Sequence, residues 1–130
     1  MIGWEAFGRA LDELIALRDE HGFELVVFTL CEFSEPVPRM LAEARARNIP
    51  IISMLESMQN WMLQHQGEPL NPASHARSPL AVEPNNPHPS PLLHDMCATG
   101  LVRGLGELGV LDRLVARKAA RTSGGQPESR

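Results

Sequence analysis

Residues 23–30, with the sequence FELVVFTL, constrain the fold of this chain more than any other segment. The segment begins at Phe23, ends at Leu30 and consists almost entirely of apolar residues, many of them β-branched or aromatic. Such residues favour extended structure, and the lack of polar alternation indicates a strand that is covered on both faces. Strands of this kind belong to parallel sheets flanked by helices, so the segment predicts an α/β fold.

Helical patterns alternate with short apolar runs on either side of this strand. Ahead of it, one helical stripe consists of Phe7, Leu11, Leu14, Ile15 and Leu17, and the pair His21-Gly22 is a signal for the end of a helix. The order of strand, helix and strand that follows predicts a parallel β-α-β unit. The predicted elements of this half are helices over residues 4–21, 36–48 and 56–64 and strands over residues 23–30 and 51–54.

Residues 67–91 differ in composition from the rest of the chain. Seven of the eleven prolines fall there, among Asn, Ser and His, which predicts either a linker or a functional loop that proline holds stiff. Apolar residues return at helical spacing over residues 92–105, and a last apolar segment covers residues 110–116. The prediction is one domain over residues 1–118, followed by a disordered polar tail over residues 119–130.

Composition and charge argue against several classes of protein. The 130 residues, 43% hydrophobic and 22% charged, are typical of one globular domain that is long enough to bury a core. The net charge of -4 leaves no basic excess for phosphate groups, so nucleic acid is not an expected partner. We also expect no membrane partner, because the sequence has neither an apolar run of spanning length nor the pattern of a signal peptide.

Neither the two cysteines nor the group of His, Asp and Cys residues at positions 88–97 predicts a cofactor or a metal site. Cys31 and Cys97 lie far apart in apolar surroundings, which favours buried free thiols in a reducing compartment, with the cytoplasm as the default location. His88, His94 and Asp95, together with Cys97, have a spacing that fits no closed tetrahedral set of ligands.

The segment NNPHPSPLLH surrounds His88 with prolines and leads directly into the helix predicted over residues 92–105. Proline restricts the freedom of a loop, so the imidazole is expected to keep one position at the start of that helix. The run His88-Pro89-Ser90-Pro91-Leu92-Leu93-His94, with Ala98 one turn later, resembles the last conserved block of the SGNH (GDSL-type) hydrolases. The order of the preceding helices and strands is similar to the second half of such a domain.

The resemblance implies a parallel-sheet, flavodoxin-like α/β/α three-layer sandwich, of which this chain carries the last two strands and their flanking helices. It implies ester hydrolysis or acyl transfer on a small-molecule ester, without a cofactor. In that family a serine on an early strand attacks the acyl carbon, and His88 matches the histidine that removes the proton of this serine. Asn85 matches the position that orients the catalytic histidine. Ser90 matches a structural position, and His94 matches a second histidine that we expect to brace the loop rather than to react.

The site departs from the family pattern. Asn85 stands where an aspartate is usual, so the predicted partner of His88 carries no charge and the base is expected to be weakened. Glu83 is the alternative partner, and Leu93 stands where a glycine is usual. The sequence contains neither a Gly-Asp-Ser block nor a Gly-x-Asn-Asp block, so the isolated 130 residues are not expected to be active.

The same absence leaves the strand at residues 23–30 without the neighbour that the family places beside it. A long apolar strand with an open edge promotes aggregation, and soluble proteins avoid it. Three explanations are open: further chain before Met1 covers this edge, which is the favoured one; a partner covers it; or the gene has decayed. The alternative function is a non-catalytic α/β interaction module or a homodimer that pairs through this edge.

The other histidines carry simpler expectations. His65 and His75 fall in polar surroundings and are expected to be exposed.

Overall fold

The computed structural model describes residues 2–30 and 32–124, so Cys31 lies outside the described residues. The chain alternates helices with short strands. In chain order the elements are α1 (Ile2–His21), β1 (Val27–Thr29), α2 (Val37–Ala46), β2 (Ile51–Ser53), α3 (Leu55–His65), α4 (Pro72–Arg77), β3 (Ala81–Glu83), β4 (Asn86–Pro89), α5 (Pro91–Glu107) and α6 (Val110–Ser123).

The predicted β-α-β unit is present. β1 and β2 are parallel, with Val27 opposite Ile51 and Phe28 opposite Ile52, and α2 connects them. Strands β3 and β4 form a separate antiparallel hairpin, so the described residues contain two sheets of two strands each. The mixed α/β class is therefore confirmed, while the described residues contain too few strands to form the three-layer sandwich that the resemblance implies.

The first strand is much shorter than predicted. It spans Val27–Thr29, because its partner β2 has only three residues and the chain turns into α3 immediately afterwards. Without a ladder partner, the residues that precede Val27 form no strand, and Phe23 is 38% exposed. Apolar composition alone gave the wrong length, since a strand extends only as far as its hydrogen-bonded neighbour.

The proline-rich segment forms ordered elements rather than a linker. Asn71 caps α4 by accepting hydrogen bonds from the backbone N–H groups of Ala73 and Ser74, both at 3.0 Å. The Ser74 hydroxyl in return accepts from the backbone N–H of Asn71 at 2.9 Å, which completes a capping box. After α4, the chain turns back at Asn85, whose φ of 64° is in the left-handed region that asparagine tolerates.

The larger core lies between α3, α5 and the α4–hairpin segment. Met58 and Met62 of α3 are 1% and 0% exposed, and Leu80 and Leu93 pack against them. Trp61 is half-buried beside this cluster, so the predicted inward face of the third helix is confirmed. A smaller cluster, which includes Leu11, Ala44 and Ile49, joins α1 and α2 to the parallel strands.

The last helix continues to Ser123, beyond the residue at which the sequence predicted the ordered domain to end. Residues 119–123 of the predicted polar tail are therefore helical, and residues 125–130 lie outside the described residues. Lys118 accepts a hydrogen bond at its carbonyl from the hydroxyl of Thr122, at 2.7 Å, which satisfies one backbone acceptor of the final turns.

Candidate functional site

The β3–β4 hairpin carries the histidine of the family-like block. In β4, Pro87 and Pro89 stand on either side of His88, and neither proline can donate a backbone hydrogen bond. The backbone N–H of His88 donates to the side-chain oxygen of Asn86 at 3.4 Å. The His88 imidazole is exposed and forms no hydrogen bond within the part of the chain that the structure describes. The imidazole nitrogens are therefore open to a group from outside these residues.

The hairpin is tied to the elements on both sides of it. The backbone N–H of Asn85 donates to the carbonyl of Ala76 at the end of α4, at 3.1 Å. The Ser90 hydroxyl donates to the carbonyl of Pro79 at 2.7 Å and accepts from the backbone N–H of Leu93 at 3.3 Å. Ser90 is thus the N-cap of α5 as well as an anchor to the segment before β3, so its predicted structural role is confirmed.

A cavity of about 560 Å³ lies beside the hairpin, within the size range of ligand pockets in proteins. Met58 and Leu93, which are 1% and 2% exposed, form part of its wall, and Ser34 and Asn85 are exposed residues beside it. None of the described residues that line it is an Asp, Glu, Lys or Arg. The other lining residues are Leu30, Phe33, Pro72, His75, Ala76, Pro87 and Pro89.

The two residues that the sequence paired, Asn85 and His88, differ in their relation to the cavity. Asn85 lies in the wall of the cavity together with Pro87 and Pro89, whereas His88 does not. Successive side chains of a strand point to opposite faces, so the imidazole lies on the other face of β4 from the two prolines. No hydrogen bond joins Asn85 to His88 among the described residues, and the orienting role of Asn85 stays a prediction.

Glu83, the alternative partner of His88, has a different contact. Its carboxylate accepts a hydrogen bond from the side-chain amide of Asn86 at 3.0 Å, across the hairpin from strand β3. Because Glu83 and Asn86 are opposite residues of the antiparallel pair, the contact holds the end of the hairpin closed.

Most of the described serines are engaged in local structure, whereas Ser34 is exposed in the wall of the cavity and its hydroxyl forms no hydrogen bond among the described residues. Ser74 and Ser78 are buried, and their hydroxyls donate to the backbone carbonyls of Pro69 and His75 respectively. Ser53 donates to the carboxylate of Glu32 at 2.5 Å. Throughout residues 2–30 and 32–124, no serine hydroxyl hydrogen-bonds to a histidine ring, so no nucleophile–base pair is assembled there.

His75 is a residue that the sequence prediction placed wrongly. It was expected to be exposed, but it is only 8% exposed because α4 packs its inward face against the hairpin and the core. Its ring Nε2 lies 3.1 Å from the carbonyl oxygen of Pro87, the residue before His88. The pattern Asn71-Pro72-Ala73-Ser74 is a helix-start signal that could have placed His75 on a short helix rather than in a loop.

Two further histidines, His65 of α3 and His94 of α5, are both exposed. His65 is exposed, as expected, and its ring stacks on that of Trp61 with centroids 4.7 Å apart. The backbone N–H of His94 donates to the carbonyl of Ser90 in the first turn of α5, and the side chain of His94 is exposed.

Among the described residues, neither Cys97 nor the side chains of metal-binding types form a second candidate site. Cys97 is half-buried against the larger core, and this burial raises the pKa of its thiol, which lowers its reactivity. In the part of the chain that the structure describes, no three His, Cys, Asp or Glu side chains come together in a group that could hold a metal ion. None of the described helices combines the length and the apolar character that crossing a membrane requires.

Comparison with known protein families, with curated proteins and with solved structures finds no match to this chain.

Proposed function

We propose that this chain supplies the histidine-bearing part of an ester hydrolase of the SGNH type, with His88 as the general base. The observation that carries the proposal is the state of this side chain: an exposed imidazole without a hydrogen bond among the described residues, on a strand that prolines stiffen at both neighbours. The β1–α2–β2 unit supports it, because a parallel pair joined by a helix is the repeating element of the proposed three-layer sandwich.

The proposed reaction is hydrolysis of a small-molecule carboxylic ester without a cofactor. A serine hydroxyl attacks the acyl carbon while His88 takes its proton, and the protonated imidazole then returns a proton to the departing alcohol. Water attacks the acyl-serine in the second half-reaction while His88 takes a proton from that water, and the protonated imidazole then gives this proton to the serine oxygen as the carboxylic acid is released. His88 thus ends each cycle in its starting state.

The serine comes from a polypeptide segment other than the described residues, because no serine hydroxyl bonds to a histidine ring among them. This segment also covers β1, which is an edge strand of its two-stranded sheet. Val27 and Phe28 are half-buried apolar residues of that strand, and an apolar edge of this kind is a site of unwanted pairing unless another element covers it.

Asn85 orients the base in this proposal, when binding of the segment that carries the serine brings its amide towards the imidazole. An amide can fix the tautomer of a histidine, but it carries no charge to stabilise the imidazolium that forms during the reaction. The enzyme is therefore slower than one with a carboxylate at this position. The proposed location is the cytoplasm, where Cys31 and Cys97 stay reduced.

A second candidate is a non-catalytic α/β interaction module. It is favoured by the same edge strand β1, which a second copy of the chain could extend by pairing strand to strand. In this case His88 is a solvated surface residue and has no reaction to perform.

Ester hydrolysis by the native species distinguishes the two candidates. The protein is purified from its own source, together with any polypeptide that co-purifies, and hydrolysis of p-nitrophenyl butyrate is measured. We expect activity in this species, and a loss of at least about 100-fold in the His88→Ala variant. His21→Ala, which removes another exposed histidine at the end of α1, is the matched control and should retain the native rate.

Absence of hydrolysis, or equal rates for His88→Ala and His21→Ala, would overturn the proposal. Equal rates would show that exposed imidazoles, rather than one positioned base, cleave this activated ester. A dimer of the 130-residue chain without hydrolysis would favour the interaction module.

A further inference from the structure

His75 makes a contact that no part of the proposed reaction has used. It belongs to α4, is only 8% exposed, and its Nε2 lies 3.1 Å from the carbonyl oxygen of Pro87. Pro87 immediately precedes His88, so this hydrogen bond fixes the backbone at the residue next to the proposed base. We propose that His75 is a positioning residue for His88, an inference that rests on the function proposed above.

The partner of Nε2 determines the tautomer of the His75 ring. A carbonyl oxygen can only accept a hydrogen bond, so Nε2 must carry the proton and donate it. Nδ1 is then the acceptor nitrogen of the neutral ring. This nitrogen is buried and has no partner within the described residues. A leucine at this position would avoid the unpaired acceptor, so packing alone does not explain a histidine here, whereas the bond to Pro87 does.

The segment around His88 needs an external anchor because it has few backbone donors. Pro87 and Pro89 have no N–H groups, so β4 has fewer backbone donors with which to pair to β3 than an ordinary strand of its length. The pairing between the strands is also irregular: Ala81 lies opposite Pro89 and Glu83 opposite Asn86, with a register shift between them. The hydrogen bond from His75 of α4 to the carbonyl of Pro87 compensates in part for the backbone hydrogen bonds that the prolines of β4 cannot donate.

Helix α4 itself is well fixed, which makes it a suitable support. Its capping box is complete, and Ser74, the neighbour of His75, is fully buried and donates to the carbonyl of Pro69 at 2.8 Å. The backbone N–H of Asn85 bonds to Ala76 of the same helix. Two adjacent residues of α4, His75 and Ala76, therefore hold the hairpin at positions 87 and 85.

The test uses three single substitutions in the full chain. His75→Phe keeps a ring in the cavity wall and removes the donor. His75→Gln replaces the ring by an amide whose nitrogen reaches about as far as Nε2. His65→Phe, at the exposed histidine of α3, is the matched control. Two quantities are measured: the ¹⁵N order parameter of the His88 backbone amide in the 130-residue chain, and kcat and KM for p-nitrophenyl butyrate in the native species.

We expect His75→Phe to lower the order parameter of His88 below about 0.6. We also expect it to reduce kcat about tenfold while KM changes less than about twofold, because the base is misplaced but binding is not. His75→Gln should restore the order parameter of His88 to about 0.85 and kcat to within about threefold of native, and His65→Phe should change neither. Where His75→Phe does not fold, as judged by its circular dichroism melting curve, His75→Met takes its place.

A native order parameter for His88 in His75→Phe would overturn the positioning role. A His75→Gln variant as impaired as His75→Phe would also overturn it, because ring shape rather than the donated hydrogen bond would then be the cause. Failure of the proposed function is separate: it would appear as unchanged hydrolysis in His88→Ala, and the order parameters would still decide the role of His75.

Discussion

The carboxylate of Glu24 and the guanidinium of Arg113 form a bidentate ion pair between positions 89 residues apart in the chain. Nε donates to one carboxylate oxygen at 2.9 Å and Nη2 to the other at 3.0 Å. Arg117 lies 3.2 Å from the same carboxylate and also donates to the carbonyl of Gly22. These contacts fasten α6, an amphipathic helix with few buried residues, to the segment that follows α1.

Glu24→Gln should make the protein less stable near neutral pH and should have little effect in acid. The hydrogen bond from Arg113 holds the pKa of the Glu24 carboxyl below its ordinary value of 4.5. A lowered pKa in the folded state stabilises the protein above pH 4.5, and this contribution disappears as the pH falls through the folded-state pKa. We expect the melting temperature of Glu24→Gln to be lower than native by at most about 5 °C near neutral pH.

Melting curves at several pH values check this prediction. The difference between Glu24→Gln and the native protein should shrink steadily as the pH falls below 4.5. Glu20→Gln, which removes an exposed acid at the end of α1, serves as the control. A difference that stays constant down to the acid limit would show that the charge of Glu24 does not cause the effect.

Gly104→Ala should destabilise the protein although alanine is the better helix former. A Cβ atom at Gly104 would lie 2.8 Å from two side-chain carbons of Ile52, which is 8% exposed in strand β2. The gain in helix propensity is about 1 kcal/mol, and crowding in a packed core costs about 1–3 kcal/mol. We expect the free energy of unfolding to fall by up to about 2 kcal/mol, as measured by urea denaturation.

Gly106→Ala is the control on the same helix. A Cβ atom there would meet only a side-chain carbon of Leu111, at 3.9 Å, which is ordinary contact. This variant should be as stable as the native protein or more stable by up to about 1 kcal/mol. If both variants gained stability, the close approach of α5 to β2 would be wrong.

The sequence predicted the long helices because periodicity reports a buried face directly. The predicted stripe on residues 7–17 gave α1, although two of its members, Leu14 and Leu17, are 40% and 45% exposed. The spacing of Met58 and Met62 gave α3. These patterns depend on a helix burying one side, which the residues themselves encode.

Strand length and the hairpin were not predictable in the same way. A strand ends where its partner ends, and nothing in residues 23–30 records that β2 has three residues. The proline-rich segment was read as a loop because proline is uncommon inside sheets. The hairpin tolerates Pro87 and Pro89 because its strands are short and have only each other as partners in their sheet.

The candidate site was predicted in part. Sequence reasoning identified His88 and the prolines beside it, whereas the burial of His75 depends on α4 folding back against the hairpin, a tertiary contact that local sequence does not encode. His88 lies on the other face of β4 from Pro87 and Pro89, which only the assignment of a strand makes visible.

Ser90→Ala should lower the free energy of unfolding by about 1–2 kcal/mol, because it removes an N-cap and a buried hydrogen bond at once. Ser90 is 5% exposed, and its hydroxyl bonds to the carbonyl of Pro79 and to the backbone N–H of Leu93. Urea denaturation measures the loss. Ser123→Ala, at the exposed end of α6, removes a hydroxyl whose bond to Ala119 is local and should change stability by less than about 0.5 kcal/mol. Equal losses in the two variants would argue against Ser90 as the anchor of α5.

Asn85→Ala should destabilise the hairpin, whereas Asn85→Gly should not. Asn85 has a φ of 64°, which glycine adopts freely and alanine adopts at a cost of about 1 kcal/mol. Both variants remove the side-chain amide, so the difference between their free energies of unfolding in urea isolates the contribution of the backbone conformation.

The same two variants separate the role of Asn85 in the turn from its role in the proposed chemistry. If the amide of Asn85 orients His88, both variants lose ester hydrolysis in the native species, including the stable Asn85→Gly. A native rate in Asn85→Gly would restrict Asn85 to the turn and would point to Glu83, or to no residue, as the partner that orients His88.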